Sequence, residues 1–169
     1  DADTALARAE RFAPYDIYWL EEPLAPYDTD GFARLAAASP IPIATGEVLA
    51  LQEEYQPLIA TARIHIVQPD LGRIGGITQA QHLAAFCRAA GATRPVPHAF
   101  GTGVLLAASA QWAAALDEPL TEYTRAPSPL AQNLARHDMQ FKNGLLHLSD
   151  APGLGVELDE NVVAQYRVA

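Results

Sequence analysis

The chain has 169 residues, 50% of them hydrophobic, a formal net charge of −9 and one cysteine. That length can bury a real core, and 11 scattered Lys and Arg residues set against 20 Asp and Glu leave no basic footprint for nucleic acid. The longest apolar stretch, VLLAASAQWAAAL, is too short and too interrupted to span a bilayer, and no signal sequence opens the chain, so a cytoplasmic protein is expected, with Cys87 as a small helix-packing residue.

DADTALARAERF reads as a capped helix with Asp1 and Asp3 in its first turn. The apolar run IYWLE then ends on Glu21 and is followed by TDGFARLAAAS, a predicted helix with Thr29 or Asp30 as its cap. IPIATGE ends on Glu47 and leads into LQEEYQPLIATA. IHIVQPD ends on Asp70 and leads into ITQAQHLAAFCRAAG, with Thr78 near its start and Gly91 at the left-handed stop. TRPVPH ends on His98 before the Ala-rich TGVLLAASAQWAAALDE, and PLTEY carries Glu122.

The five polar residues recur at steps of about 23 to 28 residues, which is what one strand, one helix and two short loops consume in a parallel β/α unit. IHIV is apolar on both faces, as a parallel strand covered by helices on both sides should be. Fold class is therefore α/β: the C-terminal part, about five units, of a β/α barrel that needs eight units and about 250 residues. Glu21, Glu47, Asp70, His98 and Glu122 would gather on the rim where such barrels place their chemistry. A five-stranded part exposes a strand edge, which predicts self-association, a homo-oligomer, or docking with a missing N-terminal portion. The other histidines read as structural or exposed: His65 inside a strand run, His82 in a helix, His137 and His147 in the tail.

Six motifs in order, WLEEP (19–23), TGE (45–47), QPDLGRIGG (68–76), PHAFGTG (97–103), TEY (121–123) and PGLGVELD (152–159), resemble the barrel of the enolase superfamily, mandelate racemase/muconate lactonizing enzyme family, mandelate racemase subgroup. The resemblance implies a modified TIM-type barrel over 1–136 and a return segment over 137–169 that contributes to a capping domain. It also implies Mg²⁺-dependent abstraction of the proton next to a carboxylate. Glu21 and Glu47 match two of three metal ligands, and Glu22 would support them without ligating. Asp70 and His98 match a dyad in which the aspartate orients the imidazole, and Glu122 matches the acid that hydrogen-bonds the substrate carboxylate.

The family's third metal ligand is expected one unit upstream of Glu21. Its opposing lysine base has no counterpart, because Lys142 sits in the turn-like KNG of the tail. PHAFGTG and the Ala-rich helix resemble acid-sugar dehydratases more than the racemase, which makes a lyase acting on a sugar acid the first expectation and a racemase, epimerase or cycloisomerase the alternative. A non-catalytic barrel fragment is the reading from a different class, and the isolated chain is expected to be inactive.

Overall fold

The computed structural model describes residues 1–91, 93–124 and 127–168. They fall into two compact units, Asp1–Val96 and Pro97–Ala169.

The first unit opens with α1 (Ala2–Phe12), whose start is fixed by the Asp1 carboxylate accepting from Thr4 N at 2.9 Å. Ala2, Ala5 and Ala9 form its buried stripe. After β1 (Leu20–Glu21), α2 (Thr29–Ala38) is capped by Asp28, which accepts from Gly31 N at 2.9 Å. The sequence suggested Thr29 or Asp30; both already lie in the first helical turn, and Asp28 is the last residue with non-helical dihedrals.

β2 (Ile43–Thr45) is followed by α3 (Gln52–Gln56), which runs into a wide helical turn over Pro57–Thr61 closed by Ala62 N donating to Pro57 O at 2.9 Å. One helix was expected here. Pro57 has no N–H to give to the preceding turn, so the ladder loosens to the wider spacing at that residue. β3 (Ile66–Val67) leads into α4 (Leu71–Ile74) and α5 (Gly76–Ala90), and Gly91 ends α5 with φ 72°, as expected of a left-handed stop. β4 (Arg94–Pro95) completes a parallel sheet in the order β1-β2-β3-β4, with Leu20 opposite Ile43, Ala44 opposite Ile66 and Ile66 opposite Arg94.

Every residue of β2 and β3 is buried. Around them Phe32, Leu35, Leu58, Ile59, Ile64 and Leu83 are essentially inaccessible, each side chain contributing roughly 1.5–3 kcal/mol by leaving water. His65 is structural, as its place in a strand run implied: its Nδ1 accepts from Ile43 N at 3.1 Å. That bond needs a neutral ring, and burial lowers the pKa of His65 in the same sense. Cys87 is buried on α5, and burial pushes its thiol up to about 12.

In the second unit α6 (Gly103–Ala114) is capped by Thr102 and buries Leu106, Ala107, Ala110 and Trp112. The fifth apolar run, PLTEY, joins no strand ladder among the described residues. Pro119 offers no donor to a neighbour, and the run leaves Tyr123 stacked on Phe141, ring centroids 5.3 Å apart. Thus four of the five expected strands are paired.

The tail forms α7 (Pro129–Asn133), β5 (Ala135–His137), β6 (Gln140–Lys142), β7 (Leu145–His147), β8 (Val156–Leu158) and α8 (Glu160–Tyr166). β5 pairs antiparallel with β8, and β6 with β7 around Asn143-Gly144, whose positive φ values of 53° and 78° suit a tight hairpin. Lys142 lies at this hairpin, as its KNG context suggested. Ala99, Leu106, Ala107, Ala110 and Met139 make the local core. No described helix is long and apolar enough to cross a membrane.

Candidate active site

Glu21 closes β1, and two side chains converge on one of its oxygens. Trp19 Nε1 donates to Oε2 at 2.9 Å and Gln68 Nε2 donates to the same oxygen at 2.6 Å. Gln68 follows β3, two strands away in the sheet, and is wholly buried. The next residue, Glu22, has φ 43°. A left-handed corner at a non-glycine residue is costly, and here it sends two adjacent carboxylates to different partners. Glu22 Oε1 accepts from Thr45 Oγ1 at 3.2 Å, on the end of β2, while its backbone N–H extends the β1–β2 ladder to Ala44 O.

Glu47 stands in the turn after β2, which begins at Gly46 with φ 124°. A Cβ at Gly46 would lie 3.1 Å from Tyr55 Cε1, 3.2 Å from Val67 Cγ2 and 3.3 Å from Gln68 N, so this turn needs glycine both for its dihedral and for its closeness to β3. The Tyr55 hydroxyl donates to the carbonyls flanking Glu47, with Gly46 O at 3.0 Å and Leu49 O at 2.9 Å as alternative acceptors. Burial raises the Tyr55 pKa and keeps that hydroxyl protonated.

Asp70 is 5% exposed and caps α4, its Oδ1 accepting from Gly72 N at 2.7 Å.

In the second unit Ala99 N donates to Glu122 Oε2 at 3.0 Å, and that oxygen lies 4.0 Å from His98 Nε2. At this separation the pair is an electrostatic contact, longer than a hydrogen bond. Within its own unit, the carboxylate beside His98 is that of Glu122. Both side chains are mostly buried, at 13% and 24% exposure.

Among the described residues no group of three or more His, Cys, Asp or Glu side chains is arranged to hold a metal ion. Glu21, at the end of β1, and Glu47, in the turn just past the end of the adjacent parallel β2, supply hard oxygen donors. Mg²⁺ commonly takes one or two carboxylates and fills its remaining positions with water and substrate oxygens, so the pair fits Mg²⁺ in kind.

Trp19, Gln68 and Tyr55 were given no role from sequence. Trp19 and Gln68 lie within the quoted WLEEP and QPD motifs, and a polar Gln at the end of an otherwise apolar run was the available signal. Tyr55 offered none, because a tyrosine in an amphipathic helix reads as core.

Over residues 1–162 the chain matches the enolase C-terminal domain-like family. It is 34% identical over 173 aligned residues to the D-galactarolactone cycloisomerase of Agrobacterium fabrum, covering 97% of this chain and 46% of that enzyme. It is likewise 34% identical to the L-talarate/galactarate dehydratase of Salmonella typhimurium, covering 95% of this chain and 38% of that one. The crystal structure of the 3,6-anhydro-D-galactonate cycloisomerase from Zobellia galactanivorans superposes with a TM-score of 0.93 at 32% identity, over 98% of this chain and 47% of that one. The chain thus spans less than half the length of these relatives. With its strand-end acids and this match over nearly its whole length, the chain belongs to the mandelate racemase/muconate lactonizing enzyme family of the enolase superfamily.

Proposed function

We propose that the protein carrying this chain is a Mg²⁺-dependent lyase that removes the proton next to the carboxylate of a sugar acid and expels the 3-hydroxyl as water. The observation that carries this reading is the carboxylate pair Glu21 and Glu47 at or just past adjacent strand ends, each with its own buried support, Gln68 for the first and Tyr55 for the turn holding the second. Bound there, Mg²⁺ supplies charge neutralisation for the negative charge that builds on the substrate carboxylate once the proton leaves. The proton from C2 passes to a base outside these 169 residues, which are fewer than half of the relatives' length. His98, oriented by Asp70, gives a proton to the departing hydroxyl. Glu122, held by Ala99 N, hydrogen-bonds the substrate carboxylate as charge builds on it. Residues 1–136 form the barrel portion and 137–169 the return to a capping domain, and the isolated chain is inactive until joined by the rest.

Screening the full-length protein with Mg²⁺ against aldonic and aldaric acids, with the 2-keto product trapped by semicarbazide, tests this. A dehydrated keto acid supports the lyase. The likeness to two cycloisomerases favours a second reading, opening of a lactone or anhydro ring, in which the product keeps the mass of the substrate. No turnover of any acid, lactone or anhydro sugar overturns both.

A further inference from the structure

Glu21 is an exposed side chain at the outer strand of the four. A glutamate there samples many rotamers, and a carboxylate that must meet a cation in one orientation loses that freedom on binding. In this protein its orientation is already set. Oε2 receives Trp19 Nε1 at 2.9 Å and Gln68 Nε2 at 2.6 Å, one bond from just before its strand and one from 47 positions further along the chain.

The origin of the second bond points to a purpose beyond packing. Gln68 is 0% exposed. Burying an amide costs stability unless its polar atoms are satisfied, and an apolar side chain of equal volume would serve a core at that position without this requirement. The backbone of Gln68 is held by the sheet: Gln68 N donates to Thr45 O at 2.9 Å, and a Cβ at Gly46 would crowd that nitrogen at 3.3 Å. The side chain thus starts from a backbone fixed in the sheet, is wholly buried, and ends on Glu21.

We propose that Gln68, assisted by Trp19, is a positioning residue for the metal-binding carboxylate of Glu21. Two donors on Oε2 commit that oxygen, so ligation falls to Oε1, and the carboxylate plane is fixed before the cation arrives. This rests on the reading of Glu21 and Glu47 as metal ligands and assigns to that site a residue which does not itself ligate.

The test uses the full-length protein and Mn²⁺ as a paramagnetic substitute for Mg²⁺, with affinity and line shape read by electron paramagnetic resonance and folding by thermal melting. Gln68→Met keeps the volume and removes the donor. It should weaken Mn²⁺ binding by roughly 10- to 100-fold and alter the line shape of the bound ion, in the range typical of residues that hydrogen-bond metal ligands. Trp19→Phe should produce a smaller loss in the same direction. Folded Gln68→Met protein that binds Mn²⁺ with wild-type affinity and line shape overturns the proposal, as does a lowered melting point with unchanged affinity. If Gln68→Met does not fold, Trp19→Phe decides: weakened Mn²⁺ binding supports the shared clamp and wild-type binding overturns it. Glu47→Gln separates the two levels. Loss of Mn²⁺ in that variant with none in Gln68→Met leaves the metal site standing and removes only the clamp, whereas a wild-type protein that binds no Mn²⁺ removes both.

Discussion

The two units hold their candidate site residues by different means. In the first, Glu21, Glu47 and Asp70 sit at or just past the ends of hydrogen-bonded strands; buried Gln68 fixes Glu21, buried Tyr55 fixes the turn that bears Glu47, and Asp70 is held by its own cap to Gly72 N. In the second, His98 sits three residues past β4, as Asp70 sits three past β3, while Glu122 lies on an irregular segment, where it accepts from the backbone N–H of Ala99. A carboxylate held by a sheet keeps its place as long as the sheet survives, whereas one held by a loop can be displaced without unfolding anything.

Breaking the fixed side should have the largest effect. Glu47→Gln in the full-length protein removes one ligand charge while leaving the Tyr55 bonds to Gly46 and Leu49 in place, so turnover should be abolished with the melting point unchanged. Activity that persists in this variant in the presence of a chelator rejects Glu47 as a ligand.

Next comes the proton-transferring histidine. His98→Asn should lower kcat by about 10²- to 10⁴-fold, and Asp70→Asn should do so through the same imidazole, so the double variant should lose little more than the worse single one. Losses that multiply show that the two act independently, and would direct attention to Glu122 as the carboxylate that matters to His98.

The difference in packing is sharpened by two truncations. Leu83→Ala, at a wholly buried site beside the parallel sheet, should cost about 2–5 kcal/mol. Leu146→Ala, partly buried on the tail hairpin, should cost about 1 kcal/mol. Chemical denaturation of each variant gives both numbers, and equal costs would remove the contrast between the units.

The smallest effect belongs to His65. Burial depresses its folded pKa, so below the unfolded value of about 6.5 the unfolded chain takes up a proton that the folded chain resists. Stability contributed by the neutral ring is full above that pH and falls as pH drops toward the folded pKa, then levels off. Replacing His65 by Gln should flatten this part of the stability profile while the profile above pH 7 keeps its shape.

Most of the parallel sheet was legible in the sequence, because each strand is a short apolar run bounded by Pro, Gly or an acid and each crossover is an amphipathic segment with a cap. The end of α5 at Gly91 and the start of α1 at Asp1 were read from single residues. PLTEY was read as a strand on the same grounds, and here the pattern misled: an apolar run ending in an acid has no ladder without a partner for its donors, and Pro119 already withholds one. The wide turn at Pro57 was written in the sequence but was absorbed into a helix that looked long enough without it. The supports of Glu21 lay further out of reach. A bond spanning 47 residues depends on which strands become neighbours and how closely they approach, and neither is a property of the segment around Gln68.

The lone thiol of Cys87 carries a consequence for handling the protein. With its pKa raised to about 12 and its side chain sealed within α5, it holds almost no thiolate at neutral pH. Alkylating reagents and oxidants therefore meet it only when α5 lifts from the sheet, and these 169 residues hold no second cysteine to confuse the signal. Its rate of labelling is a built-in clock for the opening of the first unit.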